Sequence, residues 1–138
     1  MTKQTSCEER IKKHFENRIS DLEKLWNTNK EDPEKGVEGL GTFSEYGLSF
    51  DYVSPNTFKN QKRGYFRYQL SWGGPSDEFR FFCDENLETT EIEYWFLDWF
   101  DGSHLTLACK EYYLLSEIFR DFKDTGTVQA KLNESRNE

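Results

Sequence analysis

Between Gly64 and Asp101 lie twelve of the chain's 23 aromatic residues, and the way they alternate restricts the fold more than any other feature. Phe66, Tyr68, Leu70 and Trp72 alternate with Tyr65, Arg67, Gln69 and Ser71, the period-two pattern of a strand with one buried face. Gly73-Gly74-Pro75-Ser76 then forces a turn, because glycine permits positive φ while proline restricts φ and removes a donor. Phe79, Phe81 and Cys83 alternate with Arg80, Phe82 and Asp84 in a second strand, which the polar Asp84-Glu85-Asn86 closes.

From Glu91 to Trp99 the pattern changes. Ile92, Tyr94 and Phe96 point one way while Trp95, Leu97 and Trp99 point the other, so both faces are apolar. Such a strand is covered on both sides or shows its rings to a partner. Burial is the first expectation, because large aromatic side chains belong mostly to cores. Phe100-Asp101-Gly102-Ser103 carries the Asp-Gly pair that a type I′ hairpin turn prefers, which makes His104 to Leu107 a short returning strand.

The flanking segments supply helices. Ser6-Cys7-Glu8-Glu9 has the spacing of a capping box, and Ile11, Phe15, Ile19, Leu22 and Trp26 form one apolar stripe behind it. Residues 27–42, with Pro33, Gly36, Gly39 and Gly41 among charged neighbours, read as a long exposed loop. Tyr46, Leu48, Phe50 and Tyr52 alternate with smaller or polar residues as a strand that opens the sheet, and Lys59, Lys62 and Arg63 form a local basic cluster on the following hairpin. Tyr112, Leu115, Ile118, Phe119 and Phe122 mark an amphipathic helix ending before Gly126, and residues 127–138 read as a frayed tail. Residues 1–138 are therefore expected to form a single α+β domain: an N-terminal helix, an antiparallel meander of about five strands and a C-terminal helix. Two helices can cover one face of that sheet, leaving Tyr65, Phe82, Trp95, Leu97 and Trp99 in partial view of solvent.

An aromatic content of 17% argues for an ordered core despite the mean hydropathy of -0.92. No apolar run reaches the roughly 18 residues of a membrane span, and the amino terminus is polar rather than signal-like. Cys7, Cys83 and Cys109 lack a C-x-x-C spacing and suit reduced thiols, so a cytoplasmic protein is expected. The net charge of -8 opposes general affinity for nucleic acid. Its location is more informative: Asp77 to Asp101 holds nine acids against the single base Arg80, and the remainder of the chain is neutral.

Chemistry is sparse. Asp98, Asp101 and His104 cluster around the Asp-Gly turn and could hold a divalent metal or share a proton, and Cys109 with His104 and Asp101 could supply nucleophile, base and orienter. Neither set has the surround of a recognisable site, and a buried structural thiol is the plainer reading of Cys109. We assign no catalytic residue, metal ligand or cofactor. In another arrangement Tyr65, Trp95 and Trp99 would stack the bases of a single strand, with Lys59, Lys62, Arg63, Arg67 and Arg80 on phosphates. The nine neighbouring acids stand against direct nucleic-acid binding unless the fold separates the two charges.

The blocks from Tyr65 to Phe82 and from Glu93 to Gly102 resemble a largely uncharacterised family of small acidic proteins carried on bacterial plasmids and integrated mobile elements. The resemblance covers roughly Leu48 to Phe122 and brings no catalytic residues. It implies a context in which such proteins blunt host defence by binding its effectors, sometimes by imitating nucleic acid. The leading expectation is accordingly a non-enzymatic binding protein, an inhibitor docking acidic, aromatic strands on a basic host or defence protein through Asp77, Glu78, Glu91, Glu93, Trp95, Asp98, Trp99 and Asp101. A homodimer burying Trp99 is an alternative way to cover the second face.

Overall fold

A computed structural model of the chain describes residues 7–98 and 101–136. Its first helix, α1 (Cys7–Glu31), buries Ile11, Ile19, Leu22, Leu25 and Trp26 along one face, as the apolar stripe requires. Ser6, the expected cap, lies outside the described residues. The helix runs five residues into the expected loop, because nothing from Asn27 to Glu31 breaks it and Pro33 disfavours helical geometry only at the residue before itself. The loop proper is therefore 32–42, closed by a bridge between Val37 and Gly41.

A single turn, α2 (Phe43–Tyr46), follows. The Thr42 amide, just before it, donates to Glu45 Oε1 at 3.0 Å. This turn takes Tyr46 out of the expected strand, and β1 (Ser49–Val53) starts three residues later. Then come β2 (Tyr65–Ser71), β3 (Ser76–Cys83), β4 (Thr89–Asp98) and β5 (Asp101–Thr106). The five strands form one antiparallel sheet in chain order, β1-β2-β3-β4-β5. A bulge between Gln69 and Ser71 shifts the β2–β3 register before its last pair, Ser71–Asp77, and Trp72 beyond it is 78% exposed rather than inward-facing.

One register detail departs from expectation. Asp98 pairs with Asp101 and Leu97 with Gly102, so the Asp-Gly pair belongs to β5 and is not the hairpin turn. Gly102 serves packing instead: a Cβ there would sit 2.8 Å from Leu97 Cδ2. The pairing sets His104 directly opposite Trp95.

Helix α3 (Cys109–Asp124) buries Leu115, Ile118 and Phe119. The expected frayed tail is ordered up to Arg136, because Gly126 at φ 86 reverses the chain into α4 (Thr127–Arg136). Val128 of α4 is buried and Leu132, one turn on, packs against the same core. Two large apolar residues, Val128 and Leu132, in an otherwise small or polar decamer are too few to announce a helix by periodicity.

The helices pack on one face of the sheet. Phe119 of α3 meets Phe66 at 5.5 Å and Phe81 at 4.9 Å between ring centroids, Phe15 of α1 meets Tyr94 at 5.4 Å, and His14 stacks on Phe96 at 4.4 Å. Phe79, Phe81, Ile92 and Tyr94 are fully buried between these layers. Among the described residues, no helix is long and apolar enough to cross a membrane.

Candidate functional site

Two sets of charged residues hang from the same strands, and the sheet sends them to opposite faces. On the helix side, Asp77 is 3% exposed. It receives Arg18 Nε at 2.7 Å and Nη2 at 3.0 Å, the Tyr94 hydroxyl at 2.6 Å, and the Ser71 hydroxyl. Arg18 also donates to the Tyr46 hydroxyl, which in turn donates to Asp21, each at 2.8 Å. This is a closed buried network; the Asp77 hydrogen bond holds Arg18 protonated against its desolvation, and burial pushes Tyr94 and Tyr68 up and Tyr46 up to about 12. Asp98 is taken by Arg10 at 2.6 Å, and Asp101 accepts the backbone amide of Cys7 at 2.8 Å.

The other face carries no helix among the described residues. Tyr65, Arg67, Glu78, Arg80, Phe82, Glu91, Glu93, Trp95 and His104 project from it in register. Arg80 donates from Nε to Glu78 Oε2 at 2.8 Å, while its guanidinium carbon lies 4.7 Å from the Tyr65 ring centroid and 3.9 Å from that of Trp95. The far side of Trp95 stacks on His104, 4.4 Å away and inclined by 15°. Trp95 Nε1 donates to Glu93 Oε1 at 2.9 Å, and His104 Nε2 is 3.8 Å from Glu93 Oε2. Arg67 grips Asp51 with two bonds of 3.0 and 2.7 Å; Arg63 reaches Glu91 at 3.2 Å and lies 4.0 Å over Phe82. Such interleaving of guanidinium, carboxylate and ring exploits cation–π attraction and charge-assisted hydrogen bonding together. A hydrogen bond with Glu93 and then the Arg63 guanidinium hold Glu91 below the usual glutamate range.

The residues expected to form an acidic docking row therefore divide. Glu78 at 2% and Glu93 at 9% exposure are buried and engaged on the open face, Asp77 is buried on the helix face, and Trp99 lies outside the described residues. Tyr65 and Phe82, expected in view of solvent, are buried with Val53 as a small second cluster. The Asp98, Asp101 and His104 triad does not assemble, since the first two serve α1 while His104 lies across the sheet on Trp95. Cys109, expected buried, is exposed at the start of α3. Burial instead raises the Cys83 thiol to about 12.

What covers part of the open face is the 54–63 loop between β1 and β2. Gln61 staples it: its side-chain amide donates to Ser54 O at 3.0 Å and Arg63 O at 2.8 Å, while its Oε1 accepts the Phe58 amide at 3.0 Å. Between loop and sheet runs a groove of about 430 Å³, with Phe58, Lys59, Lys62 and Arg63 on one wall and Tyr65, Arg80, Phe82, Glu93 and Trp95 on the other. Its lining holds four cations, Lys59, Lys62, Arg63 and Arg80, against the single carboxylate Glu93, in a chain whose net charge is -8. The basic cluster was legible in the sequence; Gln61, whose three bonds shape the wall, has no sequence signal. The fold and this face define an α+β protein with a one-sided antiparallel sheet. No family model, curated protein or solved structure matches the chain.

Proposed function

We propose that the protein is a non-enzymatic binding protein that holds an anionic ligand in the groove on its helix-free sheet face. The observation that carries this reading is the inversion of charge: a cationic groove in an acidic molecule. A cleft in which cations outnumber carboxylates draws an anion locally even when the whole molecule has the opposite sign. The groove volume falls in the range of small-molecule sites, and its mix of rings with a few polar groups is usual for them. The test is titration of isotope-labelled protein with inorganic phosphate at low salt. Amide shifts confined to residues 58–65 and to Arg80, Phe82, Glu93 and Trp95 on the facing wall, lost at high salt and lost in a Lys59→Glu, Lys62→Glu double variant, are expected; shifts outside the groove or none would refute the reading.

A second reading keeps the inhibitor of a basic host or defence protein. It is favoured by Asp84, Glu85 and Glu88, which remain exposed around the β3–β4 turn, and by the resemblance to mobile-element proteins. In that case a basic partner binds at low salt, and Glu85→Lys with Glu88→Lys abolishes binding while the groove variants leave it intact.

A further inference from the structure

We infer that the groove selects a phosphate monoester carrying a flat heterocycle, a mononucleotide in chemical class, and that the ring stacks on Phe58 rather than on Trp95. The inference rests on the anion-binding reading above and specifies its ligand. Both faces of Trp95 are already occupied, by Arg80 at 3.9 Å and His104 at 4.4 Å. Phe82 is covered by Arg63 at 4.0 Å, and Tyr65, 2% exposed, by Arg80 at 4.7 Å. Among the rings lining the groove, that leaves Phe58, which is 52% exposed. A large apolar ring held in the open by a stapled loop is a ready stacking platform, and stacking accepts any flat π-face.

The charges flank this ring in sequence and in space. Lys59 and Lys62 are exposed groove residues, and neither forms an ion pair among the described residues. Arg63 is already shared with Glu91. Two uncommitted ammonium groups beside a guanidinium suit the dianion of a phosphate monoester better than a single carboxylate.

Tyr65 supplies the third determinant. Its ring lines the groove, yet its hydroxyl is buried without a hydrogen-bond partner among the described residues. A buried donor left unmade is costly and rare in native proteins. Burial pushes the phenol up, so it keeps its proton to donate. Because the hydroxyl is closed to solvent in the free protein, a ligand acceptor reaches it only as the groove wall shifts on binding, and the site is then completed by what it binds.

The test uses the full chain, isotope-labelled, titrated separately with adenosine 5′-monophosphate, adenosine and inorganic phosphate. The monophosphate is expected to bind at least about tenfold more tightly than either half, since ring and phosphate are held together. Phe58→Ala should bring its affinity down to that of phosphate, and Lys59→Ala with Lys62→Ala down to that of adenosine; all three residues are exposed, so folding is spared. Tyr65→Phe should weaken binding about fivefold with an unchanged circular dichroism spectrum. If the monophosphate binds no better than phosphate, or if Phe58→Ala has no effect, the inference falls while anion binding stands. If no anion shifts residues 58–65, both fall.

Discussion

The two faces of this sheet are built from alternate residues of the same strands, and they handle charge and aromatic rings in opposite ways. Beneath α1 and α3, rings meet rings: Phe79, Phe81 and Tyr94 are fully buried, and one ionic network around Asp77 has its bonds filled from Arg18, Tyr94 and Ser71. Across the sheet, rings meet cations, and Tyr65, Arg80, Trp95 and His104 form one continuous stack. The difference teaches that an aromatic strand residue needs a covering layer, but that the layer need not be a helix. Where no helix is available, arginines and a short loop supply it.

The sharpest break of this comparison is a pair of truncations in neighbouring strands. Phe79→Ala, at a fully buried site, should cost about 4 kcal/mol of unfolding free energy. Trp95→Ala, whose ring is covered by Arg80 and His104, should cost about 1 to 2 kcal/mol. Urea denaturation of both variants measures the gap, and equal losses would mean that the open face is as much core as the helix side.

Next in size is Arg18→Ala, which strands the Asp77 carboxylate among its remaining donors. Removing one partner of a buried pair should cost about 3 kcal/mol. Arg67→Ala on the open face, whose partner Asp51 stays accessible to water, should cost well under about 1 kcal/mol. Similar losses at the two sites would erase the distinction between a buried network and a screened pair.

Tyr65→Phe carries the opposite sign. Deleting a buried hydroxyl that lacks a partner should stabilise the free protein by about 1 kcal/mol. Thermal denaturation without ligand checks this, and destabilisation would show that the hydroxyl is bonded in solution.

The smallest effects lie in pH dependence, where the faces again separate. Tyr46, on the helix side, is raised from 10.0 to about 12. Its contribution is complete below pH 10.0 and is lost as the pH rises toward 12, because the unfolded chain deprotonates first. Glu91, on the open face, is lowered from 4.5. Its contribution is present above pH 4.5 and fades as the pH falls through the depressed value. Stability profiles should therefore lose part of their alkaline slope in Tyr46→Phe and part of their acid slope in Glu91→Gln. An unchanged acid limb in Glu91→Gln would detach that slope from the open face.

Much of the architecture could be read directly. The order of helix, meander and helix and the inward set Phe66, Tyr68, Phe79, Phe81, Ile92, Tyr94 and Phe96 follow from alternation in the chain. The site was legible only in part. Lys59, Lys62, Arg63, Tyr65, Arg80 and Trp95 were grouped by residue type as a surface for a single strand, but the groove that the 54–63 loop makes of them was not legible. The acidic strands misled, because a list of carboxylates does not show which ones the fold neutralises.

What the sequence alone determined is which way most strand residues point, because alternation is a property of the extended backbone and is written every second residue until a bulge such as that before Ser71 shifts it. Turn residues and apolar stripes are equally local, and they placed the long helices and most strand boundaries. The tertiary structure decided the partners. Arg18 finds Asp77 across 59 residues and Arg10 finds Asp98 across 88, so the charge available to a ligand depends on contacts that no window of sequence contains. Helix α4 and the 98–101 hairpin register were decided there too, by the space beside β1 and the fit of Leu97 against Gly102. Packing is a relation between distant surfaces, and it settled where four cations of an acidic protein line one groove.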